Sequence, residues 1–215
     1  MLRYLKPVIV VLGVVAPWAV PSGARAQTAF LEGRGGISAP TGEMARWVNA
    51  GPSFGAGLGL RLSRRLTLRA DFDASFMEGE RLERGGEAPG INLIHYVAGI
   101  ETPLGGARSP ISPLETSMSV FAGATTLEIE AFAIPHDRPQ GGQVFILSEN
   151  YFTAGAGFRA GYPLSRFLGV FVAARGYGVF ADKEDTKILE LLSDRAERFG
   201  TTWALPVAAG VRLQF

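Results

Sequence analysis

The last thirteen residues constrain the fold more than any other stretch of the chain. From Trp203 to Phe215, the residues Trp203, Leu205, Val207, Ala209, Val211, Leu213 and Phe215 fall on every second position, and Ala204, Pro206, Ala208, Gly210, Arg212 and Gln214 fall between them. Strand side chains point alternately to opposite faces, so this segment is a strand with one large apolar face and one small or polar face. A helix would smear the same pattern around its circumference.

The alternation recurs through the chain in segments of about ten residues separated by turn-rich stretches, and eight such strands are expected. The first seven are 29–38, 53–62, 66–77, 91–104, 117–131, 151–164 and 168–181. Two are unbroken. Leu66, Leu68, Ala70, Phe72, Ala74 and Phe76 alternate with Thr67, Arg69, Asp71, Asp73 and Ser75; Phe152, Ala154, Ala156, Phe158, Ala160, Tyr162 and Leu164 alternate with Thr153, Gly155, Gly157, Arg159 and Gly161. The fifth is ambiguous, because Val120, Ala122 and Ala124 have one parity and Leu127 and Ile129 the other. A β-bulge between them would place all five on one face. Connections after the odd strands are expected to be long, with 132–150 the longest irregular one, and those after the even strands short. Within 182–201, Ile188, Leu191, Leu192, Ala196 and Phe199 recur at helical spacing ahead of Gly200, which predicts a short helix there.

Hydrophobic residues make up 47% of the chain and charged residues 19%, a greasy balance for a protein in water. Beyond the N-terminus no apolar run reaches the roughly 18 to 20 residues that a membrane helix needs, so any crossing is made by strands. Residues 1–26 have the form of a secretory signal: Arg3 and Lys6, an apolar core from Pro7 to Val20, and Ala24-Arg25-Ala26 as the cleavage site. An uncleaved anchor is the alternative reading of this segment. Cleavage leaves 27–215 as a single domain with 18 basic and 20 acidic residues, which gives nucleic acid no basic surface to bind. Zero cysteines exclude disulfides, thiolate metal sites and a lipidated N-terminal cysteine.

Three charges at alternate positions of one strand cannot face hydrocarbon, where a midplane arginine costs roughly 2 to 4 kcal/mol. They must line an interior. Parity collects Glu32, Arg34, Arg61, Arg69, Asp71, Asp73, Glu101, Arg159, Arg175 and Arg212 there, with Glu128 and Glu130 added if the fifth strand shifts register. Arginine pairs bidentately with carboxylates and stays charged, so the expected product is a cross-barrel ion-pair network. Inward glycines such as Gly55 and Gly57 would give it room. Such a network can close the lumen or line a narrow polar conduit, and both readings stand at this point.

His95 on the fourth strand and His136 beside Asp137 are the catalytic candidates, but neither has a nucleophile and an orienting group at a suggestive spacing, so neither an enzyme nor a bound cofactor or metal is expected. Pro206 lacks the N–H a ladder needs, and its expected neighbour, the first strand, holds Gly33, Gly35 and Gly36. This suggests either a bulge near the rim or a weak seam through which a small apolar molecule could leave sideways. The loop with Glu78, Glu80, Arg81, Glu83, Arg84 and Glu87 could recognise lipopolysaccharide phosphates or simply be solvated.

In its signal segment, eight alternating strands, unequal connections and terminal aromatic strand, the chain resembles the small outer-membrane β-barrel family that includes the OmpA transmembrane domain, OmpX and OmpW. The resemblance implies an all-β, eight-stranded antiparallel up-and-down transmembrane barrel in the outer membrane of a Gram-negative-type bacterium, monomeric, with both termini periplasmic. Its partners would be outer-membrane lipid, lipopolysaccharide and, during insertion, the barrel-assembly machinery, for which Val211, Leu213 and Phe215 would be the signal. Some relatives modify lipid A, a more distant possibility for this chain. A secreted lipocalin-like barrel is the structural rival, with apolar residues inside and polar ones outside.

Overall fold

A computed structural model of the chain describes residues 29–80, 88–104, 114–133, 144–181 and 200–215. The signal segment with Ala24 and Ala26, His136, most of the charged loop after Glu80, and the expected helix within 182–201 lie outside the described residues.

Eight antiparallel strands form one closed barrel in sequence order: β1 Ala29–Thr41, β2 Gly51–Arg61, β3 Thr67–Met77, β4 Ile91–Pro103, β5 Glu115–Ala133, β6 Val144–Pro163, β7 Leu168–Phe180 and β8 Thr201–Gln214. Each strand pairs with its neighbour, and β8 returns to β1. Closure satisfies every strand edge, a condition that hydrocarbon imposes because no water reaches an open edge there. Ser63-Arg64-Arg65 and Ser165-Arg166-Phe167 close tight turns, in which the Ser165 hydroxyl accepts from the Phe167 and Leu168 N–H groups. This end, which also holds both chain termini of the barrel, is called the turn end; the opposite end is the loop end.

The two faces separate as the alternation requires. Phe54, Val120, Phe152, Val172 and Val207 are more than half exposed, and Leu31, Leu58, Phe72, Ile100, Phe158 and Leu213 nearly as much. Monomers in water rarely expose contiguous apolar patches beyond a few hundred Å², so a belt running right around the barrel belongs in hydrocarbon. The charges face inward. This arrangement rules out the lipocalin-like barrel, which needs the reverse.

Three expectations about the strands fail. The fifth strand has no bulge where Val120 and Leu127 change parity: alternation and pairing with β6 run unbroken to Ile129, and the register shifts only between Ile129 and Phe132. Leu127 and Ile129 are therefore fully buried inside, while Glu128 is half-buried and Glu130 exposed on the outer face. The physical reason is that β5 and β6 continue past the apolar belt. Beyond it the outside is wet and the inside is an ordinary core, so polarity inverts on both faces. The same extension shortens the connection expected over 132–150 to 134–143, and 104–114 at the turn end is slightly longer than it, so long and short connections alternate only loosely.

Pro206 supports neither reading given to it. Twelve consecutive pairs, Phe30↔Gln214 to Thr41↔Trp203, zip β1 to β8 without a bulge. The defect lies on the other side of β8. Pairing with β7 stops at Ala174↔Val207 and resumes in the same register at Tyr177↔Ala204, omitting the rungs at Pro206 and Leu205. A missing N–H removes a ladder bond without displacing the strand. At the seam, Gly36 sits so close to the Val207 carbonyl and Ala208 that a Cβ would collide with backbone, so a glycine there permits the close approach of β1 and β8.

A ring of inward side chains fills the loop end. Met77, Ile91, Leu93, Leu127, Ile129, Val179 and Ala204 form one apolar cluster with Met44, Trp47 and Val48, which come from the β1–β2 connection. A short 3-10 helix, Gly42–Arg46, begins with Gly42 at φ 70°, in the left-handed region that favours glycine, and buries Met44 completely. Val48 bridges to Gly79, and Glu80 N–H donates to the Trp47 carbonyl at 2.7 Å, fixing this segment across the barrel end.

Amide exchange in detergent micelles should find β1 and β8 as protected along their shared seam as β1 and β2 along theirs, with the fastest exchange in the barrel wall at Arg175 opposite Pro206. Rapid exchange along Gly33–Ser38 instead would contradict the continuous seam.

Candidate functional site

The lumen between the apolar cluster and the turn end is filled by charge. Arg34 on β1 makes a fork with Asp73 on β3, Nε to Oδ1 at 2.8 Å and Nη2 to Oδ2 at 2.7 Å, and reaches Asp71 with Nη1 at 3.0 Å. Arg175 on β7 crosses the barrel to the same two carboxylates, at 3.0 Å to Asp73 Oδ2 and 3.1 Å to Asp71 Oδ1. The Tyr177 hydroxyl also donates to Asp73. One carboxylate therefore joins β1, β3 and β7.

Nearer the turn end, Arg69 on β3 donates to Glu32 at 2.6 Å, to Asp71 at 2.9 Å and to Glu101. Arg212 on β8 donates from Nε to Glu32 at 2.6 Å, and Arg159 on β6 donates to Glu101. All of these side chains are at least nine-tenths buried, where unpaired charge would cost several kcal/mol per ion. Aromatic faces supply what the carboxylates do not. Phe30 lies under Arg212 at 3.9 Å and Arg69 at 5.5 Å, Phe171 under Arg159 at 5.9 Å and Phe121 under Arg175 at 5.9 Å.

Nine of the ten candidate lumen residues thus meet in one network. Arg61 does not: it is half-exposed at the turn end of β2 and makes no ion pair with a described residue, because the strand ends there and its long side chain can reach water. Glu128 and Glu130 are absent from the network for the parity reason given above. The aromatic rings and Tyr177 completed the network without having been assigned to it. Phe30, immediately before the alternating Glu32 and Arg34, carried the same parity and was legible as an inward residue.

The glycines have the role of spacers. A Cβ at Gly55 would strike Asp73 Oδ1 and come within 2.8 Å of Arg34 Nε, and one at Gly57 would crowd Asp71, Arg34 at 3.2 Å and Arg69 at 3.3 Å. Both positions sit opposite the charged rungs, since Gly55 pairs with Asp73 and Gly57 with Asp71. Room for two long side chains to cross is made by omitting a third.

His95 lies just above the network. Its ring stacks on Tyr177 with centroids 4.0 Å apart and planes within 7°, and Nδ1 is 2.6 Å from the Thr125 hydroxyl. No group of three His, Asp or Glu side chains among the described residues is arranged to hold a metal ion. The imidazole is fully buried between the apolar cluster and the ion pairs.

No family model and no curated protein matches the sequence. Among solved structures, Neisserial surface protein A superposes with a TM-score of 0.58 at 11% identity, covering 87% of this chain and 97% of that one. This chain has the fold of the small eight-stranded outer-membrane β-barrels. A major outer membrane protein from Thermus thermophilus gives 0.55 at 14% identity over 87% and 99% of the two chains, and OprG from Pseudomonas aeruginosa 0.52 at 9% over 90% and 98%. At such identities the barrel is what is shared.

Removing Asp73 as Asp73→Ala strands Arg34, Arg175 and the Tyr177 hydroxyl, and should lower barrel stability by about 3 to 5 kcal/mol in urea titrations followed by gel mobility. Gly55→Val keeps every charge but wedges Arg34 from Asp73, and should cost about 1 to 3 kcal/mol, as overpacking typically does.

Proposed function

We propose that the protein is an integral outer-membrane barrel with a sealed lumen, serving a structural or surface-interaction role. The observation that carries this reading is the double closure: the Glu32–Arg34–Arg69–Asp71–Asp73–Glu101–Arg159–Arg175–Arg212 network occupies the lumen, and the Met44–Trp47–Leu127–Ile129 cluster closes it above. An eight-stranded barrel is only wide enough for its own side chains. A space beside the network, lined by Arg34, Ser53, Asp73, Arg175 and Pro206, holds about 10 Å³, room for no more than a single water molecule.

In the proposed orientation the turn end and both termini are periplasmic and the loop end is extracellular, in contact with lipopolysaccharide. Val211 and Leu213 on the outer face of β8, and Phe215 immediately after it, are all exposed, which supports their reading as the segment handed to the barrel-assembly machinery. Any recognition would then fall to the extracellular connections, held by the rigid wall. The enclosure of His95 favours a protein that does no chemistry over a lipid-modifying enzyme.

Two measurements test this reading. In planar bilayers the purified barrel should give no steady conductance; regular channel openings whose ion selectivity changes in Asp73→Lys would replace the sealed lumen with a conduit. In cells, the protein should fractionate with the outer membrane and migrate faster unheated than boiled, and deleting Phe215 should lower the folded fraction severalfold. A soluble periplasmic product would remove the membrane reading altogether.

A further inference from the structure

Two of the connections at the turn end are the same turn. Leu62-Ser63-Arg64-Arg65-Leu66 joins β2 to β3 and Leu164-Ser165-Arg166-Phe167-Leu168 joins β6 to β7, so that Leu-Ser-Arg-x-Leu occurs twice. The backbone repeats with the sequence. The Leu62 and Leu164 N–H groups donate to the Leu66 and Leu168 carbonyls at 2.9 Å, and those of Ser63 and Ser165 donate to the same two carbonyls at 3.1 and 2.9 Å. Each serine hydroxyl accepts from the N–H two residues on, that of Arg65 or Phe167, at 3.2 Å. In the closed order of eight strands the two turns lie on opposite sides of the barrel.

The serines are explained by the turn itself, since a hydroxyl that accepts from the backbone two residues on favours such a bend. The arginines are not. Arg64, Arg65 and Arg166 are exposed, and none of them pairs with a carboxylate of a described residue. The leucines that frame them point to the outer face of their strands, with Leu62, Leu164 and Leu168 exposed and Leu66 half-buried, and they form the last rung of the apolar belt. Charge therefore stands directly at the border of the hydrocarbon. Arg166 is held to that border, because its guanidinium lies over the exposed Phe167 ring, 4.5 Å from the centroid. A long basic side chain laid along apolar surface with its head at the edge suits a membrane interface.

The two ends of the barrel also differ in sign. Outside the lumen, the described charges at the turn end are Arg61, Arg64, Arg65 and Arg166, opposed by the carboxylate of Phe215 and by Glu115, which is half-exposed and engaged in a contact of its own. At the loop end the exposed charges among the described residues are Glu43, Glu78, Glu80, Glu130 and Glu149, with Arg46.

We propose that the two Leu-Ser-Arg-x-Leu turns are headgroup sites for anionic phospholipid, with Arg64 and Arg65 at one and Arg166 at the other receiving the lipid phosphate while the leucines and Phe167 pack against its acyl chains. Charge complementarity selects the occupant: a phosphatidylglycerol headgroup carries the net negative charge that a zwitterionic one lacks, and each basic residue beside an anionic bilayer surface contributes about fivefold in binding. The proposal rests on the membrane reading above and takes the turn end to be periplasmic, on the side of the outer membrane that carries phospholipid.

The test is electron spin resonance of the barrel refolded into phosphatidylcholine bilayers with a trace of spin-labelled phosphatidylglycerol or phosphatidylcholine, in which the motionally restricted fraction reads each lipid's relative affinity for the barrel surface. The wild-type barrel should favour phosphatidylglycerol severalfold, and the preference should fall to near unity in concentrated salt, which screens exposed charge. Arg64→Gln with Arg65→Gln, and Arg166→Gln alone, should each lower it in part, and the triple variant should abolish it. Arg46→Gln at the loop end should leave it unchanged. Equal affinities in the wild type, a preference that survives in the folded triple variant or in salt, its loss in Arg46→Gln, or displacement of the labelled lipid by inorganic phosphate at the same concentration would each overturn the proposal. Should the triple variant fail to fold, the salt dependence of the wild type decides. A soluble product in cells ends the membrane reading itself, whereas a folded, inserted barrel without the preference ends only the proposal.

Discussion

An eight-stranded barrel encloses a space too narrow for bulk water and too wide to close by backbone alone, so its inward side chains must fill it and satisfy one another. Everything else in this structure follows from how that space is filled. Asp73 accepts from groups on β1 and β7 while itself belonging to β3, and Arg69 spans Glu32, Asp71 and Glu101 on three strands. The contacts of β3 with β1 and β7 tie together strands that the hydrogen-bonded ladder does not make neighbours. A barrel wall transmits force only between adjacent strands, and the network adds cross-braces. Arginine suits the task because its fork can serve two carboxylates at once, which a lysine ammonium does with less directional control. The glycines opposite the charged rungs complete the packing: side-chain volume is removed at Gly55 and Gly57 where guanidiniums must pass.

Much of this was legible in the sequence because a strand's period is two and a charge cannot face hydrocarbon. Arg69, Asp71 and Asp73 on one parity of β3 fixed that strand's inner face, and the same parity in β1, β6, β7 and β8 delivered Glu32, Arg34, Arg159, Arg175 and Arg212 to a common space. The inference failed where its premise did. Leu127 and Ile129 were assigned outward because apolar was equated with lipid, yet β5 runs past the apolar belt into a region where the solvent outside is water. A sequence carries no mark of where hydrocarbon ends. Met44 and Trp47 were illegible for another reason: they sit in a connection without periodicity, and only the closed barrel end supplies the apolar surface that buries them.

Pro206 illustrates a different limit. Its missing N–H was evident from its identity, but whether the lost rung faced β1 or β7 depends on which neighbour its amide would have addressed, and that follows from register. With β1 bonded continuously to β8, the closure point of the barrel is as regular as its other junctions, and the irregular rung falls one strand away. The cost is contained there because Arg175, opposite the gap, is anchored inside by Asp71 and Asp73. Side-chain bonding across the lumen thus compensates for a ladder bond absent from the wall.

The apolar cluster at the loop end also orders events in assembly. Met44, Trp47 and Val48 belong to the first connection to be synthesised, but they pack with residues from β3, β4, β5, β6, β7 and β8. Their seat does not exist until the last strand has joined the first, a contact between the most distant parts of the barrel sequence. A chain that lacked β8 would lack part of that seat, so that full burial of Trp47 coincides with closure of the barrel and its exposure would mark an unfinished one.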